Sequence, residues 1–204
     1  NEDPSSGSNN GNLSSGSCTP TTSNIGAVDT TCLQFALDYP IAGINFDCSS
    51  ATNFHYATKF SGNAVIGSCK VGDTASFYIQ SKDNKKVYLG NVNLDTVGKF
   101  TSVNSNTKQS NPIYLRILDL ASGITGKTPV SLDKNDETIK VAIALVKIFQ
   151  SIGVENGDNV IGDIQPTQHT DTKKDQLTKI SQSITATEFK NGAYANILKP
   201  WLDL

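Results

Sequence analysis

The hydrophobic period of this 204-residue chain changes once, close to residue 100, and that change limits the fold more than any other feature. From Pro40 to about Phe100 the pattern is strand-like. Ile44 and Phe46 alternate ahead of Cys48, and Phe54, Tyr56 and Thr58 alternate in the next run. Ala64 to Cys69, Ala75 to Ile79 and Val87 to Leu94 follow, separated by Gly62, Gly72, Asp73 and the polar turn Lys82-Asp83-Asn84-Lys85. Beyond Gly98 the spacing becomes helical. Asn111-Pro112 is a helix-start signal, with Ile113, Ile117, Leu118 and Ala121 recurring until Gly123. Asp136 opens the strongest helix, running to Ile152, whose polar stripe narrows to Lys140, Lys147 and Ser151 and predicts burial nearly all round. Leu177, Ile180 and Ile184 mark a third helix. Phe189, Ala193 and Ile197 mark a fourth, stopped by Pro200. Strands first and helices second predict an α+β fold: a small antiparallel β-sandwich or curled sheet, followed by about four helices packed on it. No internal repeat is visible.

All four cysteines, Cys18, Cys32, Cys48 and Cys69, lie in the first 70 residues, at spacings that fit neither a metal knuckle nor a redox pair. Disulfides are the use this favours. Three pairings are possible. Cys18–Cys32 with Cys48–Cys69 is preferred, because each closes a short loop between apolar segments and contributes about 3 kcal/mol of chain entropy. Two disulfides imply an oxidising compartment, whereas four buried thiols would imply a reducing one.

Of residues 1–24, all but Glu2, Asp3, Leu13 and Cys18 are Ser, Gly, Asn, Thr or Pro. Such a run buries too little apolar surface to offset its ordering entropy and reads as a flexible polar tether, with Cys18 pinning its far end. Residues 25–108 then form the disulfide-bearing β part and 109–204 the helical part, packed together as one unit. The chain contains no Met and starts with Asn, as expected of a product cut from a longer precursor. A polar leader in a processed, disulfide-bonded chain fits a lipid anchor upstream; an ordinary frayed terminus fits the composition equally.

Seventeen basic and nineteen acidic residues leave a net charge of −2, which provides no field for a nucleic-acid backbone or an anionic lipid surface. No stretch approaches the roughly 20 apolar residues of a membrane-spanning helix.

The inventory of chemistry is short. Residues 121–128, Ala-Ser-Gly-Ile-Thr-Gly-Lys-Thr, match a relaxed phosphate-loop pattern, but they follow a helical run and meet Pro129 instead of opening a helix, so a helix C-cap and turn is expected. Only His55 and His169 are available for acid–base work, and neither sits in a motif. No Gly-x-Ser-x-Gly elbow is present. Asp133 to Glu137 and Glu155 to Asn159 carry calcium-type oxygen ligands, yet neither has the register of a calcium loop, and helix capping by Asp133 and Asp136 and a turn at Asn156-Gly157 explain them better. No catalytic residue, metal or cofactor is therefore expected. Phe54, Tyr56, Phe77, Tyr78 and Tyr88 fall on strand segments, where they serve either a core or, on one face, a sugar-stacking platform; Phe54, Tyr56, Tyr78 and Tyr88 are the ligand-binding candidates.

Two stretches resemble the N-terminal region of FilF-like pilus assembly proteins, a family of Gram-negative surface lipoproteins. In the first, Ile44-Asn45-Phe46-Asp47-Cys48 leads through Gly62 to Val71-Gly72-Asp73-Thr74-Ala75-Ser76-Phe77-Tyr78-Ile79 and Val87-Tyr88-Leu89-Gly90. The second is Ile139 to Gln150 with Asn156-Gly157 and Ile161 to Ile164. The turn here is poorer in Asp than the family pattern. The resemblance implies an exported protein of the outer membrane or cell surface, associated with fimbrial assembly or adhesion, whose partners are other envelope or fimbrial proteins and whose membrane contact comes only through an upstream anchor. It brings no catalytic residue. The competing expectations are a module for glycan or a host ligand and an envelope enzyme using His55 or His169.

Overall fold

The computed structural model describes residues 13–19, 31–94, 113–153 and 166–202. Its strands are β1 (Cys32–Leu37), β2 (Ile41–Ala42), β3 (Asn45–Cys48), β4 (Tyr56–Ala57), β5 (Lys59–Ser61), β6 (Ala64–Lys70), β7 (Thr74–Gln80), β8 (Lys86–Asn93), β9 (Ile113–Leu115) and β10 (Thr167–Gln168). Helices α1 (Ile117–Thr125) and α2 (Glu137–Ile152) precede β10. After it come α3 (Asp171–Gln176), running into a 3₁₀ turn at Leu177–Lys179, then α4 (Ala186–Asn191) and α5 (Tyr194–Leu202). The fold is α+β.

Two four-stranded sheets, ordered β5-β6-β1-β9 and β4-β3-β7-β8, lie face to face, and β10 pairs with β2 beside them. Along β7 the side chains of Ala75, Phe77 and Ile79 are fully buried while Thr74, Ser76 and Gln80 stay partly exposed, the period of a half-buried strand. Phe35 from the first sheet meets Phe46 and Phe77 from the second edge-on, with ring centroids 5.1 and 5.5 Å apart. Each such pair contributes about 1 kcal/mol beyond its burial. Gly67 on β6 leaves room for this junction, since a Cβ there would lie 2.5 Å from the Phe35 ring and 2.8 Å from that of Phe46. Both expected disulfides form. Cys48–Cys69 joins β3 to β6 and therefore the two sheets, and Cys18–Cys32 ties residues 13–19 to the start of β1.

Most corrections to the sequence reading concern pairing direction and helix ends. The first sheet is mixed, because β9 runs parallel to β1, and β10 pairs parallel to β2, whereas the β4-β3-β7-β8 sheet is antiparallel throughout, as expected. Ile113 does not start a helix. It pairs with Phe35 in the first sheet, and the helix begins four residues later at Ile117. The third helix ends with its 3₁₀ turn. Beyond it Ile184 lies on the outer edge of β8, donating from its N to Lys86 O at 2.8 Å and accepting from Tyr88 N at 2.9 Å. A strand edge needs that cover, and it buries Ile184 as completely as a helix face would. The expected fourth helix is two, divided at Gly192, and Pro200 sits inside α5, where its missing N–H falls in the last turn. Helix α2 is less enclosed than its composition predicts: Lys140, Ile143, Lys147 and Gln150 are exposed.

Residues 13–19 dock onto the sandwich. Leu13 is buried, Ser15 O and Ser17 N bond the backbone of Ser68, and Ser14 O accepts from Ala57 N. The rest of the expected tether, 1–12 and 20–24, lies outside the described residues, as do Asn111-Pro112 and 154–165, which include the second candidate calcium loop. Helix α1 crosses β8 at backbone contact, since a Cβ on Gly123 would lie 1.8 Å from Asn91 O. One contiguous set of buried residues runs from Phe35 through Leu145 to Trp201.

Candidate functional site

Asp47, on the outer side of β3, stands opposite Ser76 on β7. The chain leaves β3 through a tight turn in which Ala51 N donates to Cys48 O and Phe54 N to Ala51 O. Buried Asp73 fixes that turn from below. Its carboxylate accepts from Ser50 N and Lys70 N, each at 3.1 Å, and from Ser50 Oγ at 2.8 Å. Asn53 takes a left-handed backbone, φ 72°, before Phe54 and His55 return the chain to β4.

These elements bring three groups together. Tyr78 O–H donates to Asp47 Oδ1 at 2.7 Å, and His55 Nδ1 lies 2.8 Å from the same oxygen. A carboxylate can only accept, so His55 donates from Nδ1. The 3.1 Å approach of the Tyr78 hydroxyl to His55 Nδ1 is then a consequence of two donors sharing one acceptor. The Tyr78 hydroxyl titrates well above an ordinary tyrosine, because it is buried and because the Asp47 charge and hydrogen bond favour its neutral form. Lys86 Nζ lies 4.7 Å from the Tyr78 ring centroid, a cation–π distance. His55 and Asp47 keep 28% and 37% of their side-chain surface exposed.

Next to this cluster lies an open cleft of about 460 Å³ lined by Asp47, Thr52, Asn53, Phe54, Thr74 and Ser76, with Phe54 58% exposed. The four candidate aromatics therefore do not share one platform. Phe54 is at the surface, Tyr88 is half-buried, and Tyr56 and Tyr78 are buried. Burial likewise raises the Tyr56 and Tyr88 hydroxyls.

The two histidines are in different settings. Among the described residues no Ser, Thr or Cys side chain bonds the His55 ring, whose hydroxyl neighbour is Tyr78, and all four cysteines are in disulfides. His169 follows β10 and is 4% exposed, its Nε2 buried without a hydrogen-bond partner among the described residues. Burial, and secondarily the Lys174 ammonium, lower it to about 4 against a weak opposing pull from Asp171.

The other loop candidates resolve into structure. Gly126 caps α1 in the left-handed conformation, and the Lys127 carbonyl accepts from Thr138 Oγ1 at 2.9 Å, which ties residues 121–128 to the start of α2. Asp136 caps α2, accepting from Thr138 N and Ile139 N, whereas Asp133 accepts from Asn135 N in the turn ahead of it and does not cap the helix. Among the described residues the acid–thiol grouping of Cys48, Cys69 and Asp73 has both sulfurs in a disulfide and so offers no thiolate to a metal.

No family model, no curated protein and no solved structure matches this chain. The Asp47–His55–Tyr78 cluster escaped the sequence reading because its members are 8 and 31 residues apart. The only local signal was an acidic residue in an outward position of a strand that reaches its Cys.

Proposed function

We propose that this chain is a non-enzymatic, exported module of the outer membrane or cell surface that acts through contacts with envelope or fimbrial proteins, in fimbrial assembly or adhesion, with an upstream lipid anchor supplying its membrane contact. The observation that carries it is the pair of disulfides, one of them joining the two sheets through the core. Such bonds form and persist in oxidising compartments, and they point to export. No helix among the described residues is long and apolar enough to cross a membrane. The fimbrial part of the reading is supported by the resemblance of residues 44–90 and 139–164 to FilF-like proteins. The contact-making part is supported by the exposed Phe54 beside its polar cleft.

Crosslinking on intact cells, with mass spectrometry of the captured proteins, tests the reading. Envelope or fimbrial proteins are expected in the captured set. Recovery of cytosolic proteins alone, or thiol labelling of all four cysteines without reduction, would overturn it.

A further inference from the structure

We infer that the cleft between Phe54 and Ser76 binds a neutral glycan, with the Phe54 ring as the stacking surface and Asp47 Oδ2 as an acceptor for sugar hydroxyls. This rests on the surface-exposed reading above and names a ligand class for it. Three observations converge on the cleft. Both hydrogen bonds to Asp47 fall on Oδ1, and Oδ2 takes none among the described residues, although the carboxylate is held in place by His55 and Tyr78. The side chains of Thr52, Asn53, Thr74 and Ser76, which line the same cleft, also make no hydrogen bond among the described residues. Phe54, finally, turns an apolar ring outward at the edge of these polar groups.

The chemistry selects the ligand. Hydroxyls and a side-chain amide both donate and accept, as sugar hydroxyls do, and an ionised carboxylate accepts from two of them. An aromatic face matches the C–H face of a pyranose by its apolar area. The lining contains no Lys or Arg, and the Asp47 charge opposes phosphates and other anions. Ser, Thr and Asn are short and lose little rotamer freedom on binding, and Asp47, Thr74 and Ser76 stand on strands that already hold them in position. The cleft volume lies within the range of small-ligand sites.

The full chain, titrated with maltohexaose, cellohexaose, mannohexaose and chitohexaose and followed by amide chemical shifts, tests the inference. Saturable shifts are expected at residues 47–55 and 74–76 with at least one probe. Phe54→Ala should weaken that binding about tenfold with little change in melting temperature, since the ring is 58% exposed and lies outside the hydrophobic core. Tyr114→Ala, which removes an exposed ring on the other sheet, should leave it unchanged. Absence of such shifts with all four probes at millimolar concentration, or binding indifferent to Phe54→Ala, overturns the glycan site. If no glycan binds and Phe54→Ala instead abolishes a protein crosslink on cells, the cleft is a protein-docking face and the glycan inference fails while the contact-making reading stands. Capture of cytosolic proteins alone sinks the surface reading whatever the glycans do.

Discussion

His169 makes this fold acid-sensitive by an amount that follows from its surroundings. Its ring is buried, the Lys174 ammonium adds to the cost of a second charge, and the folded protein holds the imidazole neutral down to about pH 4, against an ordinary value of 6.5. An unfolded chain binds the proton at the ordinary value. Between pH 6.5 and 4 the unfolded state therefore carries more protons than the folded one, and stability falls as pH falls through that window. Above pH 6.5 both states are neutral at this residue and it contributes no slope. The gap of 2.5 pK units corresponds to about 3 kcal/mol, or roughly 6–12 °C in melting temperature for a chain of this size. Carboxylates add their own pH dependence, so the quantity to measure is a difference. Wild type and His169→Gln are compared by denaturant unfolding at pH 7.5 and pH 4, and the variant is expected to lose about 3 kcal/mol less over the interval. Because the chain has only two histidines, ring proton shifts, assigned with His55→Gln, report the same group directly. A His169 ring that titrates near 6.5, or a variant whose loss between the two pH values equals that of wild type, would refute the argument.

Gly67→Ala forces a methyl group into the Phe35–Phe46 contact and should cost about 1–3 kcal/mol of unfolding free energy; an unchanged midpoint would mean that the two sheets are not packed as described. Replacing both Cys48 and Cys69 by Ala removes a cross-link between residues 21 apart and should lower stability by about 3 kcal/mol, with a further cavity cost that the more peripheral Cys18–Cys32 pair does not incur. Denaturation of the two double variants side by side checks this, and equal losses would count against the buried inter-sheet position. Asp73→Asn leaves donors at Ser50 and Lys70 without a full acceptor and should cost about 2–3 kcal/mol, read as a lower melting temperature together with broadened amide signals at 49–54.

The strand half was legible because its inward residues obey the two-residue period even where the sheet is irregular. On β8 the buried side chains, apart from Gly90, which has none, are Val87, Leu89 and Val92, a step of two followed by a step of three, and the extra residue is absorbed by a register shift between Phe77 and Tyr78 on β7. The odd spacing around Gly90 was the visible sign of it. The helical half was read less well, for one physical reason. Ile113, Ile180 and Ile184 are apolar because they are buried, and burial beside a sheet edge demands the same side chains as burial on a helix face. Only the pairing partners, Phe35 for Ile113 and β8 for Ile184, separate the two cases, and partners distant in sequence leave no local trace.

The cleft was invisible for the same reason, yet its ingredients were not. Asp47, Ser76 and Asn91 occupy matched positions on β3, β7 and β8, forming one polar row across the outer face of the second sheet. Such a row, open at Asp47 and Ser76 and covered by α1 at Asn91, by itself implies no ligand. What sets it apart is the turn at one end of it. Asp73, anchored beneath Ser49 and Ser50, holds a connection in which Asn53 adopts the left-handed backbone that asparagine tolerates and Phe54 faces solvent. Asp73 holds Ser49 and Ser50 at the start of that connection, and so fixes one wall of the cleft from whose edge Phe54 projects.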